Sequence, residues 1–190
     1  MKLEIPSKNL DILKHLHGRS IIQVSRQILK SDMDLNDFEQ MADGATEVKL
    51  DDDKVLHFYA LPEINSIGIQ EGSMSKCGDS YTFLDVTNND FWKIRIGKTI
   101  AEVSILKSKY ASTDNPSEFG IELKLESNVE VYFEYLDEED FPDTIRLTGK
   151  YTGAECFKQD VLPLSLVDNS LMYCNTTRYE NKEFQRRQKM

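Results

Sequence analysis

The phrase "GKTIAEVS" begins at Gly97, and a Gly-Lys-Thr triplet is how a phosphate-cradling loop ends. Such a loop needs an earlier glycine five residues before the Gly-Lys pair, a strand ahead of it and a helix behind it. Residue 92 is Trp, and the order here reads helix then strand, so the phosphate chemistry fails on context. The histidines offer little more. His15 and His17 stand two apart on a short helix and face different directions, whereas a helical pair sharing a metal stands three or four apart. His57 falls on a strand; Glu130 or Glu134 would be its first acid–base partner if neighbouring strands brought them together. No Gly-x-Ser-x-Gly, Ser-His-acid or Cys-His arrangement occurs. Cys77, Cys156 and Cys174 are odd in number and never spaced Cys-x-x-Cys, which argues against a disulfide framework or a zinc site. They read as small packing residues in a reducing compartment. The expectation is a protein that is not an enzyme and uses no cofactor or metal.

Charge is the stronger signal. The chain carries a net charge of −10. Residues 178–190 hold five basic and two acidic side chains, which leaves −13 on residues 1–177. Such a body repels nucleic acid and anionic membrane and attracts a basic protein. Two acidic clusters stand out: Asp51, Asp52 and Asp53, then Asp137, Glu138, Glu139, Asp140 and Asp143. Phe141 and Pro142 sit inside the second, with Tyr132 and Tyr135 before it, and aromatic anchors among carboxylates suit a protein-binding rim. The candidate partner-binding residues are therefore Asp51, Asp52, Asp53, Asp137, Glu138, Glu139, Asp140, Phe141 and Asp143. Solvated turns are the bland account of the same residues.

The elements that would position these groups repeat. "DILKHLHGRSIIQVS" from Asp11 and "DFWKIRIGKTIAEVS" from Asp90 agree at six of fifteen positions without a gap. "TEVKLDDDKVLHFYAL" at 46–61 answers "IELKLESNVEVYFEYL" at 121–136, and "INSIGI" at 64–69 answers "DTIRLT" at 143–148. Each half reads as a short helix (8–17 and 88–96), a glycine stop (Gly18, Gly97), a strand, a connector and a hairpin with a last strand. Ser7 or Asn9, and Thr87 or Asn88, are the candidate N-caps. The connectors are "DLNDFEQMAD" at 34–43, a possible short helix, and "ASTDNPSEF" at 111–119, a loop. Trp92, aligned with Leu13, should pack on the core.

The expected fold is α+β: internally duplicated helix-plus-antiparallel-strand units forming one mostly β domain with few short helices. The single domain spans 1–177, with halves at about 7–69 and 87–152, a connector at 70–86 and a C-terminal extension at 153–177. Residues 178–190 form a polar tail. Hydrophobic residues make up 39% and charged residues 29%, as in an ordinary globular protein. No apolar run follows Lys2 and none is long enough to span a bilayer, so the expectation is no signal peptide and a cytoplasmic location.

"FLDVTNNDFWKIRIGKTI" (83–100) and "FGIELKLESNVEVYFEYLDEEDFPDTIRL" (119–147) resemble bacterial immunity proteins of polymorphic toxin systems, including contact-dependent inhibition. The resemblance implies a small, acidic, cytoplasmic, non-enzymatic inhibitor. It would bind the C-terminal domain of a cognate toxin, often a basic nuclease, and occlude its active site. The alternative is a non-enzymatic ligand- or peptide-binding module, with its site on a sheet face or between the halves.

Overall fold

Apolar–polar alternation makes the strands, and glycine sets where each helix stops. The computed structural model describes residues 5–30, 41–42, 44–75, 78–108, 117–138, 141–151 and 156–162. Helix α1 is Leu10–Leu16 and α2 is Asp90–Lys93, both shorter than the expected 8–17 and 88–96. Gly18 and Gly97 then take φ of 78° and 77°, a region that costs other residues about 1–2 kcal/mol. Asn89, rather than Thr87 or Asn88, caps α2, its side chain accepting from the Trp92 amide at 2.8 Å. Thr87 is engaged elsewhere: its hydroxyl accepts from the Val24 amide at 3.0 Å. Asn9 occupies the N-cap of α1 without capping it and donates to the Ile5 carbonyl instead. Ser7 lies in the 3-10 turn Pro6–Lys8.

The described residues form eleven strands: β1 (Ile21–Leu29), β2 (Met41–Ala42), β3 (Thr46–Leu50), β4 (Val55–Leu61), β5 (Ser66–Glu71), β6 (Tyr81–Asp85), β7 (Ile100–Ser108), β8 (Glu118–Leu125), β9 (Val129–Glu138), β10 (Phe141–Thr148) and β11 (Cys156–Asp160). They form two antiparallel sheets, ordered β5-β4-β3-β1-β6 and β11-β7-β8-β9-β10-β2. The described chain is thus mostly β with few short helices. The strand ladders of the two sheets run in parallel terms. Thr46 faces Phe58 and Val48 faces Leu56; 75 residues on, Ile121 faces Phe133 and Leu123 faces Val131. The β1–β3 and β7–β8 ladders both shift register just after their first pair. In the last hairpins Phe58 faces Ile69 and Phe133 faces Leu147, so the "INSIGI"–"DTIRLT" match is one residue out of step with the ladders.

Three expected boundaries move. The 70–86 connector contains β6, which pairs with β1, and the 153–177 extension contains β11, which pairs with β7. Neither is outside the sheets; each supplies an edge strand. Glu118 and Phe119, expected in a loop, open β8. Of the proposed helix at 34–43, Met41–Ala42 instead forms β2 against Ile145 and Arg146 of the other sheet, and the rest lies outside the described residues. So do 111–116 and the tail at 178–190.

The sheets pack face to face, β4 and β5 against β8, β9 and β10, around one apolar core. Phe58 and Phe133 stack at 4.1 Å in its middle. Leu13 and Trp92 close it from the helices, both fully buried. Each such large side chain contributes about 1.5–3 kcal/mol on burial. The sheets meet again where the helices end. The Gly18 amide donates to the Ile100 carbonyl and the Gly97 amide to the Ile21 carbonyl, each at 2.8 Å, around a bridge between Ser20 and Thr99. Because β5 and β6 are opposite edges of one sheet, their connection must cross its outer face. The Met74 amide bonds Glu47, the Gln27 side chain bonds the Ser75 carbonyl and His57 bonds the Gly72 carbonyl. Tyr151 enters over the second sheet in the same manner, beside the rings of Phe119 and Tyr132. No helix among the described residues is long and apolar enough to cross a membrane.

Candidate functional site

The first acidic cluster is the β3–β4 turn, where Asp53 takes a φ of 65°. Its three carboxylates do different work. Asp52 accepts from His15 at 2.7 Å, faces Arg19 at 3.5 Å and receives the Lys54 amide at 3.3 Å, so it ties the turn to α1. Burial pushes its acidity down, but the bonds from His15 and the Lys54 amide and the charge of Arg19 outweigh that, and its pKa falls below the ordinary value. Asp51 is exposed. Asp53, 83% exposed, meets Lys49 at 2.8 Å, a pair that solvent leaves weak.

The second cluster is at the other end of the molecule. The Asp51 amide donates to Ser20 and the Glu126 amide to Thr99, so both turns, 51–53 and 126–128, lie beside the Ser20–Thr99 bridge. Strand β9 runs ten residues away from there, about 30 Å, before the chain reaches 137–143. The two clusters therefore do not adjoin. The structure describes only the backbone of Asp137, Glu138, Phe141, Pro142 and Asp143; Glu139 and Asp140 lie outside the described residues. Tyr132 and Tyr135, expected on an interface rim, are 3% and 6% exposed. His57 does not join a glutamate from the second half: it bonds Gly72 and packs on Tyr59 at 5.5 Å, while Glu134 pairs with Arg146 at 3.1 Å and Glu130 with the Tyr132 hydroxyl at 2.9 Å.

Two hollows flank the Asp52 turn. One, of about 230 Å³, lies between α1 and the β4–β5 end and is lined by Asp11, Ile12, His15, Lys54, Leu56 and Glu71. The other, of about 360 Å³, adjoins it through Lys54 and Glu71 and extends past Val55 and Asp53 to Gly72. Lys54 meets Glu71 at 3.4 Å where they join. The exposed Asp11 side chain makes no hydrogen bond or ion pair among the described residues.

The second half places a buried cation near the matching positions. Arg95, 7% exposed, follows α2. Its guanidinium carbon lies 3.8 Å above the Phe91 ring; its nitrogens donate to the Glu130 carbonyl at 3.0 Å and to the Phe91 carbonyl. It stands so close to Gly149 that a Cβ there would collide. Phe91, Glu130 and Gly149 occupy the strand and helix positions that Ile12, Val55 and Glu71 occupy in the first half.

A polar constellation that sequence reasoning missed lies on the outer face of the second sheet. Glu122 is fully buried and accepts from the Tyr132 hydroxyl at 2.6 Å and from Lys158 at 2.7 Å. Glu134 is buried too, facing Arg146 at 3.1 Å; Glu118, also buried, faces Lys107 at 3.1 Å and accepts from the Ser7 amide at 2.8 Å, where the first sheet's β5 approaches. Burial raises the Glu134 carboxyl above its ordinary value, against the pull of Arg146. Burial and the two glutamates likewise push the Tyr132 phenol up. Each cation is only partly covered; Lys107 and Arg146 come from neighbouring strands and Lys158 reaches across β7 from β11, so these pairs clamp β11, β7, β8, β9 and β10 in register. Outward-facing Glu in an alternating strand reads as solvated; only Lys158 and Tyr151, far along the chain, reverse that. Among the described residues no group of three or more His, Cys, Asp or Glu is placed to hold a metal. Compared with known protein families, with curated proteins and with solved structures, the chain matches none.

Proposed function

We propose that this chain is a binding protein of the immunity type, which neutralises a basic toxin domain by covering it. The observation that carries the reading is the first hairpin turn. It is pre-set by Asp52, His15 and Arg19, and it presents Asp51 and Asp53 to solvent beside two acidic hollows. A turn whose backbone is held before contact loses little freedom on binding, which is how a modest surface gains affinity. A negative field also speeds encounter with a cationic partner. Phe58 and Phe133 fill the space between the sheets, which leaves the outer surface as the binding side. Within the same proposal, the two halves are copies of one unit. Matched ladders, matched register shifts and the reciprocal bonds of Gly18 and Gly97 support it.

Affinity capture from source cells, with the tagged chain as bait, tests the function. One basic domain should be recovered in equal amount, and its toxicity should vanish on coexpression. An empty eluate, or a partner whose activity is unchanged, sinks the reading. Because Asp52 is a structural tie, the charge reversals that report on association are Asp51→Lys with Asp53→Lys. Together they should slow association at low salt by about tenfold.

A further inference from the structure

We propose that the corner around Arg95 receives a single carboxylate side chain of the partner. The inference rests on the binding reading above and names a group the partner must supply. The chain matches its buried carboxylates with cations of its own: Glu118 faces Lys107, Glu122 faces Lys158 and Glu134 faces Arg146. Arg95, almost fully buried, has no such match. Its Nε–H donates to the Glu130 carbonyl, Nη1 donates to the Phe91 carbonyl and its plane lies over the Phe91 ring, but no carboxylate of the described residues pairs with it. Glu130, whose carbonyl it holds, turns its own carboxylate to Tyr132. Burial draws the guanidinium below its ordinary pKa, and no anion opposes that. Two of its five N–H donors are used. Nη2, beside Gly149, makes no hydrogen bond among the described residues and reaches solvent.

The surroundings carry the same sign. The Lys98 amide bonds the Arg95 carbonyl at 3.2 Å, Lys150 follows the Gly149 that touches the guanidinium, and Lys93 ends α2 just before it. None of these three lysines makes an ion pair among the described residues, although the chain as a whole carries −10. A charged guanidinium edge with spare donors takes a planar carboxylate in two parallel bonds. The exposed Ile94, beside Arg95, offers an apolar contact that a protein side chain uses and a free ion does not. A phosphate polymer is repelled by the field of the rest of the chain, whereas one carboxylate on an otherwise cationic surface is not. The corner and the turn at 51–53 both lie at the end that carries the Ser20–Thr99 bridge, so one partner can meet both. Contacts of opposite sign, side by side, fix which way round that partner sits.

The test is a titration of the full chain at low salt, followed by NMR of backbone amides and arginine Nε–H groups, with N-acetyl-glutamate amide, its uncharged isostere N-acetyl-glutamine amide and inorganic phosphate. Glutamate should give saturable shifts at the Arg95 Nε–H and at the amides of Lys98 and Lys150. Glutamine should bind about fivefold more weakly or less. Lys93→Gln, Lys98→Gln and Lys150→Gln together should weaken glutamate about fivefold while leaving the unfolding midpoint in place. Equal binding of glutamine, like shifts at every lysine, tighter binding of phosphate at the same signals, or no saturation would overturn the proposal. If the corner fails while captured partner is still neutralised, the inhibitor reading stands and the contact lies elsewhere. If capture is empty while glutamate still saturates the corner, the carboxylate site stands and the inhibitor reading falls.

Discussion

At one cross-strand position the two sheets use opposite chemistry. In the first, Tyr59 faces Gly68, and the phenol ring lies over the glycine so closely that a Cβ there would strike it. In the second, the corresponding pair is Glu134 and Arg146, joined at 3.1 Å under nearly complete burial of the carboxylate. The same contrast runs across both outer faces. Glu47 and His57 are half-buried and hold a polar crossing segment, whereas Glu122 and Tyr132 are buried beneath Tyr151 and Lys158. One backbone plan tolerates an aromatic lid over glycine or a set of clamped charges, because strand order and core contacts are settled on the inner faces. The outer faces are then free to differ, and the second is the more committed: its charges lose much if unpaired.

The largest effects test whether the inner faces are truly equivalent. Phe58→Ala and Phe133→Ala should each cost about 3–5 kcal/mol in chemical denaturation. Costs that differ by several kcal/mol would break the equivalence. On the outer faces, Arg146→Met strands the buried Glu134 and should cost about 3–5 kcal/mol. Gly68→Ala, which only crowds the Tyr59 ring, should cost about 1–3 kcal/mol. Importing the first sheet's pair, Glu134→Tyr with Arg146→Gly, should recover much of the Arg146→Met loss; no recovery would mean the faces are not interchangeable.

Acid separates the sheets by sign. Glu134 has a raised folded-state value, so its contribution favours the fold most below the ordinary 4.5 and falls as pH rises through the folded value. Asp52 has a lowered value, so its contribution is present above 3.8 and is lost as pH falls through its folded value. Unfolding midpoints measured from pH 2 to 7 should show Glu134→Gln gaining on the wild type towards neutrality, and Asp52→Asn gaining on it in acid. A common sign would refute the contrast. The smallest effect concerns the caps. Asn89→Ala should cost about 1 kcal/mol, and Asn9→Ala, which removes no cap, should cost less.

What was legible in the chain was local. The hairpin strands announced themselves by alternation, and Gly18 and Gly97 by their place after an amphipathic turn. The edge strands β6 and β11 did not, because each is five residues with none fully buried, and defined by pairing with a strand about fifty to sixty residues earlier. The site divided in the same way. Asp51–Asp53 at a turn could be read, but that Asp52 is consumed by His15 depends on how α1 packs. Nor could alternation separate Glu47 from Glu122, since what covers a strand's outer face comes from distant segments.

The Phe58–Phe133 stack also has a consequence for the ribosome. The first sheet has its last strand once residue 85 is made, yet Phe58 meets its partner only after 75 further residues have followed it. At roughly 5–20 residues per second, the nascent first half holds an uncovered aromatic face for several seconds, long enough to need a chaperone or to pair with a neighbouring chain on the same messenger.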